Sequence, residues 1–361
     1  MRYKDIIFAA ALLALTACSA DDNATTEPTI TGPVRLTSSI ENFIGEPAAR
    51  VNTAGTAFET GDLIRIKVIC PYVTSTEAGE STWSNSFDGF WLQSWTGSGW
   101  GTVGSSYGFD INGDYGVSSA PSLIDQYLTQ QTPYVFTAST WTEEKSFLVK
   151  NKVVMQYANV FHADQSHIAC YKASDVLWAQ NEMQTGTDEV HLDFHHVMAA
   201  LTIAVSGVTL TDNAVLTLEG MPDIDQAEII VGDKYAAKSK VNNTCGYKEK
   251  HACDADKNGK VLGIGVNDAT SGKSSTKAFT DIDQTATYKT LRPSTDSQVF
   301  QIIVPPCTLT NNAVIKIYDV KDDGSPLRWE STLSQKEFEQ GTMYHLTLNL
   351  KQQSTEEEGN E

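Results

Sequence analysis

The stretch that decides the fold begins Val190-His-Leu-Asp-Phe-His195-His196 and continues as Val197-Met-Ala-Ala-Leu-Thr-Ile-Ala-Val205, ending at Ser206-Gly207. In its first half, apolar and polar side chains alternate, which is the pattern of a half-buried β-strand. Its second half is a short apolar segment that ends at a turn signal, which is typical of a buried strand. We therefore predict consecutive strands at 189–195 and 199–206.

Similar patterns recur along the rest of the chain. Val34, Leu36 and Ile40 share one parity, and 63–69 alternates after the turn pair Gly61-Asp62. Further candidate strands, separated by Gly, Asn, Asp and Pro, lie at 134–138, 146–150, 153–157, 214–218, 227–231, 299–304, 313–319 and 343–350. The only helix that we predict is short, at about 122–130. Many short strands with few helices predict an all-β protein of β-sandwich architecture.

Length and composition indicate a globular protein with two domains. The chain has 361 residues, and domains typically contain about 100–200. We place an N-terminal β-sandwich domain at 34–206, a C-terminal β-sandwich domain at 207–350 and a polar, acidic tail at 351–361. The net charge of −19 argues against nucleic-acid binding, because phosphate groups require a basic face.

The start of the chain has the features of an export signal. Arg2 and Lys4 precede a ten-residue apolar segment at 6–15, which is too short to cross a membrane, since a crossing needs about 20 residues. The segment Leu15-Thr-Ala-Cys18 resembles a bacterial lipobox, in which the cysteine is lipidated. We predict a signal peptide at 1–17, a lipid on Cys18 that anchors the chain to a membrane, and a disordered linker to residue 33.

Motifs for catalysis are missing from the sequence. No Gly-rich phosphate loop, nucleophile elbow or zinc-protease motif is present. We therefore expect no enzyme activity and no cofactor.

Two polar clusters raise the question of a metal site. His191, Asp193 and His195 share one strand face, where alternate residues lie about 6.6 Å apart, so neighbouring pairs are close enough to share an ion. Asp254-Ala-Asp-Lys-Asn-Gly259 has the opening spacing of a calcium loop, but its twelfth position is Gly265 instead of glutamate. We interpret the first cluster as the polar face of a strand and the second as a polar turn, and predict no metal.

Tryptophan and cysteine residues allow two interpretations each. Trp83, Trp91, Trp95 and Trp100 either stack on sugars or pack against a sheet, and we favour packing. If Cys18 is lipidated, five cysteines remain, so at least one stays unpaired. Cys245 and Cys253 flank a short polar loop and are the candidate disulfide, worth roughly 2.5 kcal/mol in the chain-entropy model. Two unpaired thiols are the equal alternative.

Several segments in order resemble the fimbrillin family, the FimA-like and Mfa-like pilin lipoproteins of the Bacteroidetes. The lipobox comes first. The other segments that carry the resemblance are Arg50 followed by Phe58-Glu-Thr-Gly-Asp-Leu-Ile-Arg-Ile66, then Asp175-Val-Leu-Trp-Ala179 with 190–201, and finally Ile303-Val-Pro-Pro306 with Gly341-Thr-Met-Tyr344.

The resemblance implies two transthyretin-like β-sandwich domains and a route of assembly. A lipoprotein precursor reaches the outer membrane surface, a protease cuts after an arginine, and the first strand is lost. A strand from another pilin subunit then fills the groove. On this chain the cut site would be Arg50, and the lost strand would lie within 34–50.

The donor strand would be the C-terminal one, where Tyr344, Leu346, Leu348 and Leu350 alternate with polar residues. Burying these four side chains contributes about 6–12 kcal/mol, whereas association costs about 4–15 kcal/mol, so ladder hydrogen bonds must add to the affinity. Eleven polar residues follow Leu350, which leaves stalk, tip and anchor positions open.

The resemblance thus implies a structural or adhesive fimbrial subunit at the cell surface, whose partners are other pilin subunits and a glycan or protein receptor. The alternative is a surface glycan-binding lipoprotein for nutrient uptake, which the tryptophans and a permanent lipid anchor would favour.

Overall fold

The described part of the chain consists mostly of β-strands. The computed structural model describes residues 35–45, 57–77, 80–102, 106–109, 115–118, 135–140, 143–149, 152–158, 161–181, 189–224, 228–231, 259–268, 273–321 and 324–351. In chain order the strands of the first part are β1 (Arg35–Ile40), β2 (Leu63–Glu77), β3 (Glu80–Trp95), β4 (Trp100–Thr102), β5 (Ser106–Phe109), β6 (Tyr115–Ser118), β7 (Val135–Thr140), β8 (Glu143–Val149), β9 (Lys152–Ala158), β10 (Leu177–Gln180) and β11 (Glu189–His196).

The later strands are β12 (Ala199–Ser206), β13 (Val215–Met221), β14 (Glu228–Val231), β15 (Val261–Asp268), β16 (Lys273–Lys277), β17 (Ala286–Lys289), β18 (Val299–Val304), β19 (Cys307–Thr308), β20 (Val314–Val320), β21 (Pro326–Thr332), β22 (Glu337–Phe338) and β23 (Met343–Asn349). One α-helix, α1 (Ile168–Ser174), and a 3₁₀ turn, Phe279–Asp281, complete the described elements. None of the helices in the described residues has the length and apolar character that a membrane crossing needs.

The largest sheet has nine strands in the order β1-β11-β10-β7-β2-β3-β5-β6, with β4 beside β3. Among the described strands, β1 is therefore at the edge of this sheet, and it runs parallel to β11 with Arg35 opposite Glu189 and Ile40 opposite Phe194. A separate hydrophobic core belongs to this sheet. It contains the buried side chains of Leu36, Ile64, Ile66, Phe136, Ala138, Leu177, Ala179, Val190, Leu192 and Phe194.

The second part of the chain forms smaller sheets around a larger core. They have the orders β18-β12-β23, β17-β13-β20-β21, β14-β15-β16 and β19-β22. Strands β12 and β23 are parallel, with Ala200 opposite Met343 and Ser206 opposite Asn349. Their apolar faces join a core that extends from Phe43 to Leu348.

The change from one core to the other falls between β11 and β12. Strand β11 pairs with β1 and β10, whereas β12 pairs with β18 and β23. The two strands are separated only by Val197 and Met198, both fully buried. The division into two transthyretin-like sandwich domains with a boundary near residue 206 stays a prediction.

The all-β prediction is confirmed, and most predicted strands lie within a few residues of their observed bounds. The strand at 199–206 and the strand at 299–304 have the predicted bounds. The prediction of few short helices is confirmed, but the sequence did not predict α1 at Ile168–Ser174. The predicted helix at 122–130 lies outside the described residues.

Candidate functional site

The candidate site is the line of backbone N–H and C=O groups along one side of β11 and β12, where β1 and β23 pair with them. We call this line the shared edge. On this side β1 lies beside β11, and the amide of Glu41 donates to the carbonyl of Phe194 at 2.8 Å. Further along, the amide of Gly341 donates to the carbonyl of Met198 at 2.9 Å, and β23 continues beside β12. Two strands from opposite ends of the chain thus occupy consecutive parts of one edge.

The inner face of β1 fits an aromatic cluster. Leu36 is buried, while Ser38 and Ile40 are half-buried and share its side of the strand. The indole Nε1–H of Trp100 donates to the Ser38 hydroxyl at 3.0 Å. Trp100 in turn contacts Phe58 edge-on, with ring centroids 4.7 Å apart. The side chain at position 38 therefore has a specific polar partner within a mostly apolar surface.

Three more ring contacts complete this cluster. Phe58 lies 5.1 Å from Phe194 and 6.2 Å from Trp95, and Trp95 lies 5.1 Å from Trp100, all measured between ring centroids. Both tryptophans are half-buried. This arrangement agrees with the packing interpretation for Trp95 and Trp100. The side chains of Trp83 and Trp91, both in β3, lie outside the described part of the structure.

The outer face of β1 is joined to β11 by polar side chains. Thr37 Oγ1 lies 2.8 Å from His191 Nδ1, and Ser39 donates to Asp193. His191 Nε2 lies 3.1 Å from Asp193 Oδ1, and both side chains are exposed. No group of three or more His, Cys, Asp or Glu that could hold a metal ion occurs in the described ranges. The side chains of His191 and Asp193 therefore have a structural role, because they form hydrogen bonds to β1.

His195 does not join these residues. It is half-buried against Trp178, with ring centroids 5.2 Å apart, and its Nε2 lies 3.4 Å from the carbonyl oxygen of Gly259. Burial lowers the pKa of His195, because the charged imidazolium loses hydration. A side chain at position 259 would collide with Trp178, since an added Cβ would lie 2.9 Å from its ring.

The chain between β1 and Gly45 crosses from the first core to the second. Phe43 is 3% exposed, and its ring stacks on that of His196 at a centroid distance of 3.6 Å. Next to it, the Ile44 amide donates to the Gly341 carbonyl, and the Met343 amide donates to the Ile44 carbonyl. These contacts attach the segment that carries β1 to the start of β23.

A buried polar pair supports this crossing. His196 Nδ1 lies 2.8 Å from Asp175 Oδ1, and both side chains are buried. His196 Nε2 has no hydrogen-bond partner among the described residues. Asp175 and His196 both occur in the segments that carry the family resemblance, but the sequence did not reveal that they pair.

The predicted donor residues lie in and just after β23. Leu348 is buried, and Tyr344, Leu346 and Leu350 are half-buried against the second core, while His345, Thr347 and Asn349 are exposed. The predicted alternation is therefore present, and the strand pairs with β12 of its own chain. The remaining predicted sites, Cys18, Arg50, Cys245, Cys253 and the turn at 254–258, lie outside the described residues, and their roles stay predictions.

A comparison with protein families gives a match over most of the chain. A family model described as fimbrillin-like matches residues 50–360. The chain belongs to the fimbrillin-like family. Fimbrillin-like proteins form fimbriae or act as adhesins, so this membership implies a fimbrial or adhesive subunit at the cell surface. A comparison with curated protein sequences found no match.

Three of the solved structures that are similar to this fimbrillin-like chain come from Bacteroides. A candidate cell adhesion protein from Bacteroides ovatus has a TM-score of 0.46 and 14% identity, covering 89% of this chain and 92% of that chain. A candidate cell adhesion protein from Bacteroides fragilis has a TM-score of 0.37 and 15% identity, with coverage of 90% and 95%. A fimbrial protein from Bacteroides ovatus has a TM-score of 0.35 and 11% identity, with coverage of 89% and 51%.

Proposed function

We propose that this chain is a fimbrial subunit that is exported as a lipoprotein and assembles by strand exchange after a cut at Arg50. The observation that carries the proposal is the position of β1 at the edge of the nine-stranded sheet. A cut between β1 and β2 would leave β1 without a covalent link to the rest of the sheet. Its departure would expose the N–H and C=O groups of β11 that now pair with it.

Proteolysis alone would not release β1 quickly. The parallel ladder with β11, the polar contacts of Thr37 and Ser39, and the buried ring of Phe43 all hold the segment in place. The exposed edge would therefore appear only as fast as these contacts break. Slow release protects an apolar groove from non-specific aggregation until a donor strand arrives.

The fimbrillin-like family match begins at residue 50, so β1 lies outside the matched region. This is consistent with a mature subunit that starts after Arg50. The lipid on Cys18 would then leave with the first strand, and Cys18 would serve for delivery to the outer membrane and not as a permanent anchor.

The C-terminal strand is the proposed donor to the next subunit. Its apolar residues Tyr344, Leu346, Leu348 and Leu350 have the alternation that a β-sheet edge requires. In the described chain this strand is paired with β12, so donation requires that β23 leave its own sheet. Leaving would expose a second edge, which another strand would have to fill.

Sequencing the N-terminus of the surface protein tests this proposal. We expect the assembled form to begin at Val51, and an Arg50→Gln variant to remain lipidated and unassembled. A wild-type assembled protein that begins at Cys18 would contradict the proposed cut. Electron microscopy of fractions from both strains gives an independent readout, because only the processed protein should enter fimbriae.

A further inference from the structure

We infer that the groove left by β1 selects a donor strand with a small hydrogen-bonding residue between two apolar ones, and therefore favours a strand from a different subunit over the chain's own C-terminal strand. This inference rests on the proposed strand exchange and specifies the partner. The template is β1 itself, in which Leu36, Ser38 and Ile40 face the sheet's core side.

Position 38 is the selective one. Ser38 lies opposite Leu192 in β11, and its hydroxyl accepts the indole N–H of Trp100. A leucine at this position would add two heavy atoms against Trp100 and would leave the indole N–H covered without an acceptor. Overpacking and the loss of an acceptor for this partly buried donor both weaken binding.

Trp100 is not free to move away from a larger residue. Its ring contacts Phe58 at 4.7 Å and Trp95 at 5.1 Å between centroids. Phe58 in turn contacts Phe194 at 5.1 Å, so the cluster rests on β11. The space at position 38 is therefore limited by a set of rings that support one another.

The chain's own C-terminal strand does not meet this requirement in any suitable register. On its apolar face, only Leu346 and Leu348 have an apolar residue two positions away in both directions. Either register would therefore put leucine at the position of Ser38. A shift by one residue would turn His345, Thr347 and Asn349 inward instead. The polar acceptor and the two apolar anchors cannot be supplied together.

The parallel direction adds a second constraint. Strand β1 runs parallel to β11, so a replacement in the same direction places its first apolar anchor at the buried position of Leu36 and its second at the half-buried position of Ile40, with the small polar residue between them. A donor strand with serine or threonine in the middle of three alternate positions fits this order. The consequence is hetero-assembly: the processed chain would accept another subunit before it accepts a second copy of itself.

A strand-exchange assay tests the inference on the full chain. The chain carries a specific protease site across Arg50, is cut, and is separated from the 1–50 fragment in mild denaturant. It is then refolded with fluorescent peptides whose uptake is followed by anisotropy. The peptides are the β1 segment 34–45, its Ser38→Leu and Ser38→Ala variants, the C-terminal segment 342–351, and that segment with Leu348→Ser.

We expect the β1 peptide to bind best. The Ser38→Leu peptide should bind at least about tenfold more weakly, and the Ser38→Ala peptide roughly two- to tenfold more weakly. The wild-type C-terminal peptide should bind weakly, and Leu348→Ser should strengthen it. In a Trp100→Phe chain, which lacks the indole donor, the difference between serine and alanine peptides should disappear.

The outcomes separate the two proposals. If the cut chain takes up no peptide, including the β1 peptide, strand exchange itself is wrong, and the selectivity fails with it. If the β1 peptide binds but the wild-type C-terminal peptide binds as tightly, the selectivity is wrong and strand exchange stands. Retention of the serine preference in the Trp100→Phe chain would also contradict the assigned role of Trp100.

Discussion

Replacing Phe43 with alanine should detach the β1 segment more than any change on its exposed side. Phe43 is 3% exposed and stacks on His196. Truncating a buried phenylalanine costs about 3–5 kcal/mol, because apolar burial is lost and a cavity remains. In the uncut chain we expect the free energy of unfolding to fall by this amount in urea titrations that follow tryptophan fluorescence.

Its neighbour Ile44 provides a matched control. The Ile44 side chain is 70% exposed, whereas its backbone amide donates to the Gly341 carbonyl and its carbonyl accepts from the Met343 amide. Ile44→Ala should therefore change the free energy of unfolding by no more than about 0.5 kcal/mol. The pair of variants separates the contribution of the buried ring from that of the backbone path.

The same substitution has a larger consequence after a cut at Arg50. The contribution of Phe43 then becomes part of the affinity between the 1–50 fragment and the rest of the chain. A loss of about 3–5 kcal/mol corresponds to roughly 150- to 5,000-fold weaker binding. Release of an N-terminally labelled fragment, followed by size-exclusion chromatography, measures it. If Phe43→Ala releases the fragment no faster than Ile44→Ala, Phe43 is not the anchor of this segment.

Three further predictions concern single residues outside β1. Burial raises the pKa of the Cys307 thiol to about 12, so iodoacetamide at pH 8 should label Cys307 only after denaturation, as peptide mass spectrometry would show. Burial lowers the pKa of His195, so the folded state binds fewer protons than the unfolded state. Stability should therefore fall as pH drops below about 6.5. In melting curves at pH 7.5 and 5.5, a His195→Gln variant should lose the part of this pH dependence that His195 contributes. At Gly207 φ is +83° and an added Cβ would lie 2.2 Å from the carbonyl oxygen of Leu350. Gly207→Ala should therefore lower the free energy of unfolding by about 1–3 kcal/mol in urea titrations. Gly99→Ala should not, because an added Cβ there would meet no heavy atom within 4 Å.

The strands that the sequence predicted best are of two kinds: β12 and β18 are mostly buried apolar segments, and β11 has one buried face. In β11 the buried Val190, Leu192 and Phe194 alternate with exposed or half-buried residues, so the local pattern reflects the environment directly. Strand β21 was missed because it begins at Pro326 and most of its side chains are exposed. It is held by its pairing with β20, and such pairing leaves no apolar pattern in a single segment.

Helix α1 was missed for a related reason. It has only seven residues, of which Tyr171 and Ser174 are buried. Two turns with a serine on the buried side do not produce an apolar helical period. Its position is instead fixed by tertiary contacts, including a hydrogen bond from the His162 amide to the Ser174 hydroxyl.

The contacts that define the shared edge join residues far apart in the chain. Trp100 and Ser38 are 62 positions apart, and His196 and Asp175 are 21 apart. A pattern search within short windows finds each residue but not its partner. The sequence therefore predicted that a first strand and a last strand matter, whereas their common edge, the role of Phe43 and the acceptor at Ser38 required the structure.

The long separation in sequence between β1 and its neighbour β11 explains why one cut would be sufficient to remove the covalent link of β1 to the sheet. An antiparallel neighbour joined by a short hairpin stays tethered by its turn when the chain is cut elsewhere. Strand β1 instead pairs with β11 at residues that lie 154 positions away, as for Ser39 and Asp193. Its covalent path to the sheet runs only through the segment between β1 and β2, which contains Arg50. A single cut there converts β1 from a part of the fold into a ligand of it, and any strand with the right three inward residues can then compete for the same edge.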